Sequence, residues 1–532
     1  MPACQGVCMR RYWLIALLFG CSGLYLSAAD RPLNIGLGPY PLELRPYRAL
    51  YAHEMLVLSG LYEGLFSYHP ETLEPLPAQA ESYTQSADGR RWTFRLRGGL
   101  RWSDGSRLTA ADYVESWRYM LLPSTASEFA GFFDIIVGAR AYRSGQVAAP
   151  DGLGIVALDE RTLQIELNAP AAYFTRLLCH SAFVPIHVSQ RAGAAGSAGD
   201  LIGNGPYRLD RLDAEALHLV RNPAYWDQAH VAIGEIIFRF LDDEVIATAR
   251  FNSGELLWLT DMIDSDSLTR REGIQYAAMF GTGYYYWNCR FAPWSDARVR
   301  RALALVVPWP EIRNGDNYLT PTDRLVLPFG GYRDSRGLAS ADQTEARALL
   351  QAAGFAEPAL LPALTMLVPD NPQHRSNAGL MAEAWQRLGL EVSIQVLPAN
   401  QFARAVRQAD YTLAATSWIG DFADPAAFLM MWTSDSALNA AGYRGGEYDA
   451  LIAASMLQAG SARLATLAQA ETILLQEAVV MPTNHLPSIN LVDTELLRGW
   501  FINPLDTHPL KALYYGTIQE PPFLARAETQ GD

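Results

Sequence analysis

Apolar and polar positions alternate with a period of two in three well-separated stretches, and each predicts a strand with one wet face. Trp92, Phe94 and Leu96 alternate with Arg91, Thr93, Arg95 and Arg97. Leu163, Ile165 and Leu167 repeat the pattern, as do Val392, Ile394 and Val396, and the apolar run from Tyr411 to Ile419 reads as a further strand. Elsewhere the period lengthens to that of a helix. Asp342 with Glu345 makes a capping-box start, Ala346, Leu349, Leu350 and Ala353 supply an apolar face, and Gly354 marks the stop. Ser376 opens a second helix, with Leu380, Met381, Ala384, Trp385 and Leu388 on one side and Gly389 at its end. That helix leads almost directly into the strand at Val392, a succession that implies sheets covered by helices, an α/β fold. The turn residues Gly98-Gly99 and Asp104-Gly105 flank residues 100–103 and predict a hairpin over 92–102.

The N-terminus departs from this patterning. Arg10 and Arg11 precede an apolar stretch beginning at Tyr12, and the small residues Ser27-Ala28-Ala29 precede Asp30, the order of a cleaved secretory signal over residues 1–29. Residues 12–26 contain Gly20, Ser22 and Gly23 and fall short of the roughly 20 apolar residues that a spanning helix needs. Two processing outcomes stay open. Leu18-Phe19-Gly20-Cys21 resembles a lipobox in which Cys21 would be acylated and anchor the chain to a membrane; Ser27-Ala28-Ala29 suits ordinary cleavage and a soluble product.

At 532 residues the chain exceeds what one core usually organises, so two lobes or more are expected. Its formal charge is -14, and loss of Arg10 and Arg11 with the leader would make it -16. With no basic cluster, nucleic acid is excluded as a partner. Cys179 and Cys289 are the cysteines beyond the leader, too few for a disulfide scaffold, and read either as a pair or as separate thiols.

Signatures of catalysis are missing. There is no Walker-type loop, no G-x-G-x-x-G after a strand, no H-E-x-x-H and no G-x-S-x-G. The nine histidines are scattered without metal-ligand spacing, so no metal, cofactor or catalytic residue is expected. Asp242-Asp243-Glu244 reads as a solvated face or a helix start. Aromatic surface is abundant at Tyr284-Tyr285-Tyr286-Trp287, Trp226, Trp258, Trp418 and Trp432. Most of it belongs to a core, and some can line a ligand cleft, with Tyr286 the candidate taken here.

Several segments, in order, resemble the family 5 extracellular solute-binding proteins, the oligopeptide and dipeptide binders of ABC importers. They are Leu61-Tyr62-Glu63-Gly64-Leu65, Leu76-Pro77-Ala78-Gln79-Ala80, Leu100-Arg101-Trp102-Ser103-Asp104-Gly105, and Thr109 as the N-cap of a following helix. Gly203-Asn204-Gly205-Pro206-Tyr207, Arg221-Asn222-Pro223-Ala224-Tyr225-Trp226-Asp227, Asp296-Ala297-Arg298-Val299-Arg300 and Trp418-Ile419-Gly420-Asp421 continue the series. Most of these residues sit at turns or element ends and read as scaffold. Asp421 differs, because it follows a predicted strand, and clefts in open α/β folds lie at strand carboxyl ends. A carboxylate there can meet a ligand ammonium group; the other reading is a turn towards Asp424-Pro425.

The resemblance implies a periplasmic-binding-protein fold of type II, with two hinged lobes and an inserted domain. Residues 30–61, 201–283 and 500–532 would form domain I, 62–200 the insertion, and 284–499 domain III. It further implies capture of oligopeptides by a monomer that delivers them to a cognate permease and ATPase. Asp421 would bind the peptide amino group, with Trp418, Ser417, Ile419 and Gly420 around it and the backbone of Ser417 and Ile419 pairing with the peptide. Some peptide binders carry an Arg where Ala415 stands; Arg407 or Arg404 is the candidate substitute, or else an exposed helical arginine. The family also binds nickel complexes, haem, sugars and opines, and an adhesin or co-receptor is the alternative outside transport. Intact-mass analysis of exported protein is expected to show loss of at least residues 1–20, with either an acylated Cys21 or a start at Asp30; recovery of a chain starting at Met1 would contradict export.

Overall fold

The computed structural model describes residues 31–516, apart from 50, 148–149, 151, 192–200, 315–317, 334, 339 and 437. The leader, including Cys21 and Ser27-Ala28-Ala29, lies outside the described residues. The dominant feature is an 11-stranded mixed sheet. From one edge its order is Val392–Leu397, Leu364–Pro369, Leu413–Ile419, Ile274–Trp287, Val480–Val492, Trp258–Leu259, Leu33–Leu37, Glu235–Phe240, Ala216–Arg221 and Tyr207–Leu212, with the short Thr320–Pro321 pairing off this path. The outer groups include parallel pairs, Leu364–Pro369 with Val392–Leu397 and Leu33–Leu37 with Glu235–Phe240.

Ile274–Trp287 and Val480–Val492 pair antiparallel along most of their length and join the two groups. Their ladder is broken. Pairing runs from Ile274↔Leu491 to Ala278↔Pro487, resumes at Thr282↔His485, and shifts again between Gly283↔Asn484 and Tyr284↔Pro482. Proline has no N–H to donate to a ladder, so Pro482 and Pro487 mark where continuous pairing fails. A separate four-stranded antiparallel sheet, ordered Ala80–Gln85, Arg91–Leu96, Thr162–Glu166, Ile155–Asp159, stands apart from the main one.

Local chemistry explains where elements begin. Asp342 caps the helix Gln343–Ala352 by accepting from the Thr344 and Glu345 N–H groups, and Gly354 follows with a φ of +90°. Thr109 caps Ala110–Leu121 in a full capping box with Asp112. Asp243 caps Glu244–Asn252, so the acidic triplet is a helix start. Two expectations need correction. The second helix begins a turn before Ser376, at Pro372–Gln386, because the Asn371 side chain accepts from Gln373 and His374 and Pro372 fits the first turn. The hairpin is also elsewhere: Arg91–Leu96 pairs back onto Ala80–Gln85 through the Ser86–Arg90 turn, where the Ser86 hydroxyl accepts from the Arg91 N–H, while Arg101 lies outside the named strands and forms an isolated bridge to Arg107.

One apolar cluster gathers Leu33, Ile35, Leu61, Tyr207, Leu219, Phe238, Trp258, Val492 and Leu510. A larger one combines residues of the four-stranded sheet, such as Trp92, Phe94 and Ile165, with Tyr285, Trp287, Leu367 and Trp385. Beside the first lies a buried polar hub. Both Glu63 carboxylate oxygens are used: one accepts from Tyr225 at 2.6 Å and Lys511 at 2.8 Å, the other from the Trp226 indole at 2.6 Å. Asn204 fixes the Glu63 backbone by accepting from its N–H and donating to its carbonyl. Three remote stretches, around residues 63, 225 and 511, therefore meet on one carboxylate. Glu63→Gln removes the carboxylate charge that the buried Lys511 ammonium bonds at 2.8 Å and should cost about 3 kcal/mol or more, whereas replacing Glu63 and Lys511 together by Met should recover much of that loss. Urea unfolding of the single and double variants checks this; equal losses would mean that the pair is not the source.

Candidate functional site

The strand Leu413–Ile419 is paired along its full length on one side, from Gly281↔Ile419 to Trp287↔Leu413. On its other side, among the described residues, only Leu413 and Ala414 are paired, to Met366 and Leu367. Residues 415–419 therefore keep one free backbone edge, the template that a sheet offers to an added strand. Ser417 is exposed and Ile419 is 50% exposed, while Ala415 is fully buried. Trp418 is half-buried, and its indole donates to the Ala427 carbonyl at 2.9 Å, holding the strand end against the next helical turn.

Gly420 ends the strand by donating its N–H to the Phe280 carbonyl at 2.8 Å, in the gap of the broken ladder. A Cβ at this position would run into the Phe280 ring, so the close approach requires glycine. Past Asp421 the chain is tied down repeatedly. Phe422 stacks on Tyr173 with ring centroids 5.1 Å apart, and the Ala423 N–H donates to the Tyr68 hydroxyl at 3.2 Å. Asp424 accepts two bonds from Arg463, at 2.7 and 2.8 Å, and lies 3.8 Å from Arg176. The loop that carries Asp421 is thus fixed by residues Asp421 itself does not touch.

Asp421 borders a cavity of about 380 Å³. Its walls come from three directions: Ile419 and Gly420 beside Asp421; Tyr62, Gly64 and Tyr68 with Phe129 and Cys179; and Leu505, Thr507 and Pro509. Other ionisable groups on the walls are compensated or neutral. Glu63 is paired with Lys511, Asp506 accepts from His508 at 3.0 Å, and burial holds His180 down at about 4. Asp421 has no cationic partner among the described residues, and burial pushes its carboxyl up to about 6. A partly buried, unpaired carboxylate beside an open strand edge can receive an ammonium group with hydrogen-bonding backbone next to it.

The remaining candidates fall elsewhere. Tyr286 is a correction: it is 2% exposed, accepts from the Tyr411 hydroxyl at 3.2 Å and packs against Tyr284 and Trp432, so it offers no ligand surface. Arg407 lies on the helix Ala399–Gln408 with its side chain outside the described residues, and Arg404 on the same helix is exposed. Cys179 and Cys289 are free thiols, Cys179 in the cavity wall and Cys289 buried elsewhere. Sequence reasoning did not find the opposite walls, Phe129, His180 and residues 505–509. They reach the site only through tertiary folding, and no spacing in the chain signals them.

The family described as "Bacterial extracellular solute-binding proteins, family 5 Middle" matches residues 74–440, more than half of the chain. The chain belongs to this family. The periplasmic murein peptide-binding protein MppA of Escherichia coli K12 is 31% identical over 89% of this chain and 91% of its own. The periplasmic oligopeptide-binding protein OppA of Salmonella typhimurium is 30% identical over 92% and 95%, and the probable deoxycholate-binding periplasmic protein YgiS of E. coli K12 is 30% identical over 94% and 98%. The unliganded open form of MppA superposes with a TM-score of 0.77 at 28% identity, covering 91% of this chain and 97% of that one. The fold is accordingly that of a type II periplasmic binding protein. Among the described residues no helix is long and apolar enough to cross a membrane.

The Asp421 carboxyl has a stability consequence whose sign is fixed. Its folded value, about 6, lies above the 3.8 of an ordinary aspartate, so the folded state takes up the proton more readily and loses stability as pH rises from about 3.8 through about 6. Above that window the ligand-free wild type carries a penalty of up to about 3 kcal/mol that Asp421→Asn lacks. In urea titrations at several pH values, the variant should be the more stable at pH 7, and the difference should shrink towards zero below pH 4. A less stable variant at pH 7 would mean that Asp421 has a partner.

Proposed function

We propose that this chain is the extracytoplasmic substrate-binding component of an ABC importer, that it captures oligopeptides as a monomer, and that it does no chemistry on them. Asp421 receives the peptide ammonium group, the free edge at Ser417 and Ile419 pairs with the peptide backbone, and Trp418 and Gly420 set the geometry between them. The observation that carries the reading is the unpaired Asp421 carboxylate beside a strand whose edge is open from residue 415 onward. The names of the peptide-binding relatives support it. So does the sign of the charge, because deoxycholate is an anion and would meet Asp421 unfavourably, although the apolar wall around Phe129 would suit a steroid. Permease and ATPase partners and export belong to the same proposal, with lipid attachment at Cys21 or cleavage before Asp30 as its two processing outcomes.

The proposed division is 30–61 with 201–283 and 500–532, then 62–200, then 284–499. Bending would occur where the ladder between Ile274–Trp287 and Val480–Val492 breaks. Two structures of the murein tripeptide-binding protein, both 28% identical to this chain, superpose with TM-scores of 0.77 for the unliganded open form and 0.67 for the other. The better superposition on the unliganded open form supports the reading of lobes that can move relative to one another.

Two measurements test the proposal. In calorimetry, Asp421→Asn should weaken a free-amine tripeptide by about 30-fold or more, since removing one partner of a buried charge pair costs roughly 2–5 kcal/mol. The N-acetylated tripeptide should be far less affected; equal losses for both would reduce Asp421 to a loop residue. Small-angle scattering should show a smaller radius of gyration at saturating peptide, and an unchanged radius with binding established would argue against closure.

A further inference from the structure

We propose that the protein carries a second small-molecule site, remote from the cavity at Asp421, that takes an organic oxyanion with two or more negative charges. The site is a cavity of about 600 Å³ lined by Arg290, Arg300 and Arg444 with Ser434, Ser436 and Tyr443. It lies past the far end of the strand Ile274–Trp287, and the strand rise from Gly281 to Trp287 alone puts about 20 Å between the two sites. It shares no lining residue with the first cavity.

The charge balance of the walls decides the class of ligand. Three guanidinium groups face one carboxylate, Glu477, and that carboxylate is taken up by Arg300 at 3.3 Å. Arg300 is 1% exposed and is held in place by the carbonyls of Trp294, Ser295 and Glu477. Arg290 is oriented by neutral oxygens only, those of Ala440, Asn439 and the Asn288 side chain. Gly442, at a φ of +62°, lets this guanidinium lie against the backbone, where a Cβ would stand 2.8 Å from its central carbon. Arg444 is exposed and makes no hydrogen bond or ion pair among the described residues. Among the described residues two guanidinium charges thus remain uncompensated, in a chain whose formal charge is -14.

The walls are built rather than incidental. Asn439 is buried; its amide donates to the carbonyls of Thr433 and Tyr443 and accepts from the Tyr443 N–H, fixing the loop that bears Ser434, Ser436 and Arg444. Planar guanidinium forks bind carboxylate and phosphate oxygens in pairs, and a positive concave wall concentrates anions locally even on an acidic protein. The volume falls within the range of about 300–1,000 Å³ typical of small-molecule pockets, larger than a lone inorganic ion requires.

Isothermal titration at fixed ionic strength, with citrate and inorganic pyrophosphate as probes and chloride as the reference, tests the proposal. At least one probe should bind saturably and one to one, and its affinity should fall with added salt. Arg444→Gln, which removes an unpartnered exposed side chain and leaves the fold undisturbed, should weaken binding about tenfold, as should Arg290→Gln. Asp421→Asn should leave it unchanged. No saturable binding of either probe beyond the chloride reference, or full affinity in both arginine variants, overturns the assignment.

Discussion

Two strands have to serve both groups of the main sheet, and that requirement governs the rest of the molecule. Ile274–Trp287 and Val480–Val492 cannot keep an unbroken ladder, because Pro482 and Pro487 lack the N–H groups that continuous pairing would use. Buried backbone groups released by such a break must find other partners. At Phe280 they do: its N–H donates to the Pro504 carbonyl at 2.6 Å, and its own carbonyl accepts from Gly420 at 2.8 Å. The break is therefore tied at once to the 500s segment and to the end of Leu413–Ile419. Gly420 donates its N–H there, carrying the Gly281↔Ile419 pairing one residue further, and the next residue is Asp421 at the cavity.

Among the described residues the charge of Asp421 is left uncompensated while neighbouring charges are matched. Asp424, three residues on, has Arg463 in two-pronged contact, and Glu63 across the cavity has Lys511, Tyr225 and Trp226. A loop that can satisfy Asp424 so fully has no general shortage of cations. Leaving Asp421 bare lowers the stability of the ligand-free protein, which is the usual mark of a group whose partner arrives from outside.

Legibility in the sequence followed the range of the interactions. Local chemistry was readable: the Asp342 and Thr109 caps and the Gly354 stop stand where the residues place them. The errors came where two local signals competed. Asn371-Pro372 outranks Ser376 as a helix start, and the Asp88-Gly89 turn outranks Gly98-Gly99 as the hairpin. Tyr286 shows the limit of reading aromatics as ligand surface, since neighbouring residues of one strand point to opposite faces and both faces here are covered. The cavity walls were unreadable for a different reason. Glu63 and Lys511 are 448 residues apart, and only the folded sheet brings them together.

Under the proposed function, protonation and lobe movement would be linked through the same carboxylate. A lobe that closes over ionised Asp421 with nothing beside it removes more water from a charge already short of solvent, and that cost grows as the cavity dries. A ligand ammonium group reverses the sign, because the pair then loses less on desolvation than the lone carboxylate does. In that reading one term opposes empty closure and favours filled closure. Below about pH 6 the proton takes the place of the ammonium group, so acid should relieve the penalty on empty closure while weakening the hold on a free-amine ligand. The two effects have opposite consequences for capture, and both follow from burial of a single side chain on a loop that other residues hold rigid.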